Sequence, residues 1–328
     1  MNQASANSTG EETQAFVCPN HHSPLFPNET ALFCPAGETF DILNGIPRFT
    51  NGSAYVDAFG AQWKRYRLTQ LDSHTGTTIT ADRLRRCLGE DIWHGLTGKT
   101  VLECGCGAGR FTEVLLRRQC VVTSVDLSEA VEANQENFPQ SESHKILQAD
   151  ITRLPLPRQQ FELVLCLGVL QHTPSPEETI ARIYEHVAPG GWLAIDHYTH
   201  NLSELTKLAS LLRFIMRRLP PEKGILWTER LTNVFLPLHK KVRKFRFLQM
   251  MLSRVSPVLS YYQAFPQLGD KLQKEWAFLD THDSLTCWYQ RFRTSGQIAR
   301  TLFQLGLTDI YCAAGGNGVE ARGRRPSM

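Results

Sequence analysis

The run Val101-Leu102-Glu103-Cys104-Gly105-Cys106-Gly107-Ala108-Gly109-Arg110-Phe111 decides how this chain reads. A short apolar strand, 100–103, leads into three closely spaced glycines, and a helix leaves them over 111–118. Glycine tolerates positive φ and lets a ligand approach the backbone, and the helix start offers free N–H groups. Working outward, residues 99–200 alternate strand and helix. Strands are expected at 121–125, 145–148, 161–167 and 192–196, and helices at 130–137 and 176–187. A helix at 298–305 and strands at 309–313 and 318–321 resume the pattern. Strands separated by helices require crossovers and a parallel sheet. The expected fold is α/β: a Rossmann-like sheet of seven strands, a small β-rich N-terminal module, and a helical insertion between strands 5 and 6.

Two carboxylates accompany the glycine loop. Asp126 ends the second strand, where it can accept both ribose hydroxyl protons, and Asp150 follows the third, where it can meet an adenine amino group. A dinucleotide loop wants GxGxxG. Here the third glycine comes one residue early and Arg110 takes the sixth position. Glu103, just before the loop, would repel a pyrophosphate but suits a cationic ligand. S-adenosylmethionine, an adenosine with a positively charged amino-acid part, fits these residues better. With 161–166 and Val187-Ala188-Pro189-Gly190-Gly191, the set resembles class I S-adenosylmethionine-dependent methyltransferases over about 100–200 and the last two strands. The resemblance implies that Glu103, Gly105, Gly107 and Gly109 hold the methionine part. It places Asp126 on the ribose, Leu127, Asp150 and Ile151 around the adenine, and Leu167 and Gly168 beside the sulfonium.

Methyl transfer displaces a neutral leaving group, so positioning supplies much of the catalysis, and a base is needed only for a hydroxyl or protonated amine. In such sheets the chemistry lies beyond the carboxyl ends of the strands. His172, Asp196 and His197 are the candidate bases there, with Gln171 and Tyr198 as substrate contacts. Asp280, His282, Asp283 and Tyr289, in a polar and aromatic stretch returning to the core, are further substrate contacts. Residues 54–94 read as helical, with Asp82 as N-cap of a helix over 83–88, and the resemblance implies that 51–98 form a lid over the cofactor.

Ahead of these helices, 1–14 reads as a disordered tail and 15–50 as a hairpin module. Its Cys18-Pro-Asn-His21 and Cys34-Pro-Ala-Gly-Glu38 resemble small zinc ribbons found in front of some methyltransferases. The resemblance implies a zinc site at Cys18, His21, Cys34 and Glu38. The pattern departs from the ribbon: His21, or His22, replaces the second Cys, and the fourth position carries Glu38 or nothing. The alternative is a metal-free ribbon held by Phe16, Leu25, Phe33 and Phe40.

Apolar residues make up 42% and charged residues 20%, which excludes a mostly disordered chain. Nine scattered cysteines are no disulfide framework, and the polar N-terminus is no signal peptide, so a cytoplasmic protein is expected. The net charge of +3 hides a split. Residues 201–254 carry twelve Lys and Arg against three Glu, so they hold +9 and the remainder −6. Basic residues interleave there with leucines at helical spacing, which fits an anionic substrate, a membrane surface or a simple cap over the site. The core is expected at 99–200 and 285–328, with 201–284 as the cap. The leading reading is a methyltransferase for a small molecule or glycan, with oxygen as acceptor. RNA methylation, or a non-catalytic cofactor-binding scaffold, is the alternative, although no nucleic-acid-binding motif accompanies the charge.

Overall fold

A computed structural model of the chain describes residues 16–50, 57–200 and 209–327. The expected tail at 1–14 and the first residues of the insertion, 201–208, lie outside them. The first unit is a four-stranded antiparallel sheet of β1 (Phe26–Pro27), β2 (Ala31–Phe33), β3 (Thr39–Leu43) and β4 (Ile46–Pro47), in sequence order. Asn28 shapes the first turn: its Oδ1 accepts the N–H groups of Thr30 (2.9 Å) and Ala31 (2.7 Å). Cys18, Leu25, Leu32 and Cys34 form its small core.

Four short helices follow: α1 (Asp57–Arg65), α2 (Asp72–Thr75), α3 (Ile79–Leu88) and α4 (Glu90–His94). The third begins earlier than its sequence indicated. Its N-cap is Thr78, and Asp82 lies in the first turn, where its carboxylate accepts the Thr78 hydroxyl at 2.8 Å.

The chain then alternates β5 (Thr100–Cys104), α5 (Arg110–Arg117), β6 (Val121–Asp126), α6 (Ala130–Asn137), β7 (His144–Gln148), β8 (Phe161–Cys166), α7 (Pro176–Tyr184) and β9 (Val187–His197). Helices α8 (Ala209–Met216), α9 (Pro221–Val242), α10 (Arg246–Val255), α11 (Asp270–Thr286) and α12 (Ser295–Gln304) separate β9 from β10 (Thr308–Gly315) and β11 (Gly318–Arg324). The seven-stranded sheet has the order β10-β11-β9-β8-β5-β6-β7. Strands β5 to β9 are parallel, and β11 runs antiparallel between β9 and β10. The central strands read as apolar runs because both faces are covered. Leu102, Val164 and Ile195 pack with Ile180 and Ile298 on one face; Val101, Leu163 and Ala194 pack with Leu84 and Leu115 on the other. The N-terminal sheet leans on the β7 edge, where Ile46 meets Val131 and Ile146 and the Phe49 N–H donates to the Gln148 carbonyl at 2.8 Å.

Strand order reverses at β5, with β6 and β7 on one side and β8 and β9 on the other. Crossovers leave in opposite directions at such a point and open a crevice beyond the strand ends. The glycine loop sits at this crevice.

Candidate functional site

Gly105 turns the chain out of β5 at φ +77°, and a Cβ there would lie 2.2 Å from Val169 Cγ2, so no other residue fits without rearrangement. The loop is pinned from beneath. The N–H groups of Gly105 (2.7 Å) and Cys106 (3.0 Å) donate to the Val125 carbonyl, and the Gly107 N–H donates to Asp126 Oδ2 at 2.9 Å. Asp126 Oδ1 accepts the Ser128 N–H (2.9 Å) and hydroxyl (2.7 Å). Burial raises the Asp126 pKa, while these donors oppose the shift by holding the carboxylate ionised.

A cleft of about 1180 Å³ opens over the loop. Of the predicted cofactor residues, Gly105, Gly107, Asp126, Leu127, Asp150, Ile151, Leu167 and Gly168 line it. The Trp63 ring, from α1, comes within 3.3 Å of where a Cβ on Gly107 would stand. On the opposite wall α11 contributes Trp276, Asp280 and Asp283. Arg110 reaches in from the start of α5 between the Phe111 and Trp276 rings (5.4 and 5.5 Å to the centroids). Its hydrogen-bond partners are neutral, Thr80 Oγ1 at 3.1 Å and Gln70 Oε1 at 3.2 Å. Burial, with Arg83 nearby, lowers its pKa to about 10, so it remains a cation at neutral pH.

His172 and Asp283 come together although 111 positions apart. His172 sits on a short 3₁₀ turn after β8, with Nδ1 3.1 Å from the Tyr289 carbonyl and Nε2 3.5 Å from Asp283 Oδ2. Burial opposes charge on this imidazole, but the Asp283 carboxylate outweighs it and raises the pKa well above 6.5. Asp283 Oδ1 is buried with no hydrogen-bond partner among the described residues, and both residues line the cleft. An unmet carboxylate oxygen there is costly unless a ligand donates to it. Gln171 and Tyr198 line the same wall.

Other candidates stand elsewhere. Asp196 and His197 are fully buried and do not line the cleft, because β9 runs on through His197 and β11 pairs along it, setting Glu320 opposite Asp196 and Val319 opposite His197. The Asp196 carboxylate is taken by the Arg83 guanidinium and, at 2.6 Å, by the Gly168 N–H. His197 Nδ1 is 2.8 Å from the Tyr198 carbonyl. Neither side chain is therefore presented to the cleft. His282 is buried against Gln62 Oε1 (2.6 Å), and burial lowers its pKa to about 4. Tyr289 meets the His172 site through its backbone carbonyl. Glu103 lies beneath the loop, its Oε2 accepting from Thr112 Oγ1 (2.6 Å) and Ser124 Oγ (3.2 Å), and burial raises its pKa to about 7. Neither it nor Gly109, which caps α5 at φ +94°, lines the cleft. Sequence reading missed Arg83: the run Asp82-Arg83-Leu84-Arg85-Arg86 does not say which arginine turns inward.

In the N-terminal sheet, ligand atoms of Cys18, His21, Cys34 and Glu38 all lie within 4.8 Å of one another. His21 Nδ1 is 3.4 Å from Cys18 Sγ, 3.6 Å from Cys34 Sγ and 3.0 Å from Glu38 Oε2. One nitrogen, one oxygen and two sulfurs so close together match the donors and tetrahedral habit of zinc.

Residues 102–195, which hold the glycine loop and the strands behind it, match the family model described as "Methyltransferase domain". This segment is a methyltransferase domain. The chain is 30% identical over 130 residues to a "Ubiquinone biosynthesis O-methyltransferase" of Pseudomonas fluorescens, covering 38% of this chain and 56% of that protein. A protein of the same name from Coxiella burnetii is 32% identical over 108 residues, covering 32% and 46%. The chain thus spans about half the length of the curated relatives it matches. The solved structure of human N-acetylserotonin methyltransferase in complex with SAM aligns with a TM-score of 0.44 and 15% identity, over 82% of this chain and 57% of that one. The methyltransferase domain carries the loop, Asp126 and His172, whereas Asp283 and Arg83 reach its cleft from outside the matched residues.

Proposed function

We propose that the protein is an S-adenosylmethionine-dependent O-methyltransferase acting on a small biosynthetic intermediate. The observation that carries this reading is the unpartnered Asp283 Oδ1, held beside His172 in the same cleft as the glycine loop and Asp126. The cleft residues fit the cofactor: an acidic strand end, a glycine-rich loop and a cation at Arg110. Asp126 would accept from the ribose hydroxyls, Leu127, Asp150 and Ile151 would surround the adenine, and the Gly105–Gly107 backbone would bear the amino-acid part. Bound there, S-adenosylmethionine supplies an activated methyl group.

The chain's own residues do the rest. Asp283 Oδ1 receives the hydrogen bond of an acceptor hydroxyl and orients its oxygen. The proton passes to the His172–Asp283 pair. Trp63, Phe111 and Trp276 keep water from the reacting atoms. The two relatives named above, both called ubiquinone biosynthesis O-methyltransferases, favour a small hydroxylated acceptor over RNA. Incubating the full chain with labelled S-adenosylmethionine and a panel of phenols and polyols tests the proposal. Acceptor-dependent S-adenosylhomocysteine with label on oxygen is expected. Label transferred to tRNA or rRNA alone would overturn it.

The four clustered donors of the N-terminal sheet favour a structural zinc ion for a module whose core is only four buried side chains. Elemental analysis of the purified chain is expected to find about one zinc per molecule, as one tetrahedral donor set predicts, and Cys18→Ser with Cys34→Ser should abolish it. A folded wild-type protein without zinc would contradict this.

A further inference from the structure

Helix α10 is built inside out. A helix on a globular protein turns its apolar stripe to the core. None of the residues of α10 is buried, and Phe247 (67% exposed), Leu248, Met251 and Val255 share its solvent-facing side. The polar Gln249 points inward instead, with Nε2 2.7 Å from His239 Nδ1, and His239 Nε2 meets Ser256 Oγ at 2.9 Å. Two further helices of the same segment also expose apolar side chains. Phe214 and Ile215 of α8 are exposed, as are Trp227 and Val234 of α9. An apolar surface this extended on a protein marks a place where something docks.

Charge says what docks. Residues 209–255 hold eleven Lys and Arg against two Glu. Lys241, Arg243, Lys244 and Arg246 lead directly into the apolar face of α10, and all are exposed. Guanidinium groups lie over the exposed aromatics, Arg230 over Trp227 at 5.3 Å and Arg218 over Phe214 at 4.1 Å. Apolar and basic groups interleaved on these helices match the acyl boundary and phosphates of an anionic bilayer. No helix among the described residues is long and apolar enough to cross a membrane, so contact would be with one leaflet.

We propose that α8, α9 and α10 dock the protein on an anionic lipid surface. The surface adjoins the cleft: Leu236 of α9 packs on Ala277 of α11, the helix that carries Asp280 and Asp283 inward. Docking there does not depend on what the cleft methylates.

Vesicle flotation of the full chain tests this directly. The protein should float with vesicles of phosphatidylglycerol and phosphatidylcholine, float poorly with phosphatidylcholine alone, and be released by salt. Phe247→Ser with Met251→Ser should weaken binding about tenfold or more, since each removes an apolar group from the acyl boundary. Lys244→Glu with Arg246→Glu should also weaken it. Both variants change only exposed side chains, so circular dichroism and thermal melting should match the wild type. No flotation of the folded wild type with anionic vesicles would overturn the proposal. So would light scattering that shows a dimer dissociated by the Phe247 and Met251 changes, because a second copy would then cover the face. Equal binding to neutral and anionic vesicles, unchanged in both variants, would overturn it too.

Discussion

Asp283→Asn is expected to lower kcat roughly a hundredfold to ten-thousandfold while leaving the affinity for S-adenosylmethionine nearly unchanged. Asp283 Oδ1 is a buried acceptor with no hydrogen-bond partner among the described residues, and Oδ2 faces His172 at 3.5 Å. The amide keeps the shape but loses the charge that orders the acceptor and sets the imidazole. His172→Gln should fall into the same range, and the double variant should be little worse than either, because the two act as a unit. The pH profile gives a second reading. The Asp283 carboxylate overcomes burial and raises the His172 pKa, so the proton is held to higher pH than in an ordinary histidine. The base form appears only above that raised pKa, and activity is lost as pH falls through it. The acid limb of kcat/KM should therefore lie above 6.5 in the wild type and move downward in Asp283→Asn. Cys287, also clustered with His172 and Asp283, remains in both proteins and controls for the local packing. Wild-type rates and an unmoved limb in both single variants would remove the pair from the reaction.

Asp126→Ala is expected to weaken cofactor binding at least about a hundredfold. Two hydrogen bonds from ribose hydroxyls to a carboxylate are worth roughly 1.5–3 kcal/mol each. The variant also strands the Gly107 N–H and the Ser128 N–H and hydroxyl, which now share the two Asp126 oxygens, so the loop itself should loosen. Titration calorimetry with S-adenosylhomocysteine checks the magnitude, and Asp126→Asn, which keeps the size and one acceptor, should recover part of it. A dissociation constant unchanged in Asp126→Ala would place the ribose elsewhere.

The sheet was legible because its determinants are local. Buried parallel strands such as Val101-Leu102 and 163–165 read as apolar runs, and Gly105 announces a turn that a side chain would block. The cofactor half of the cleft followed, since strand ends and the loop after β5 are fixed by the same pattern. The acceptor half was less legible because it is assembled from distant segments. Nothing in the spacing of His172 and Asp283 says that α11 folds back over β8. Asp196 and His197 read as candidate bases at a strand end, and the sequence did not show that β11 would pair along them or that Arg83 would claim the carboxylate. Glu103 was placed by its position before the loop, but the Thr112 and Ser124 hydroxyls draw it beneath the sheet end. The charge split was visible from composition alone. That the apolar side of α10 faces away from the protein was not, because periodicity reveals a stripe without revealing where it points.

The most direct test of the account is a crystal structure of the full chain with S-adenosylhomocysteine. The account predicts both ribose hydroxyls on the Asp126 carboxylate, the amino-acid part over the Gly105–Gly107 backbone, and the sulfur facing the side of the cleft that holds His172 and Asp283. A ligand bound elsewhere, with Asp126 still held only by Gly107 and Ser128, would contradict it.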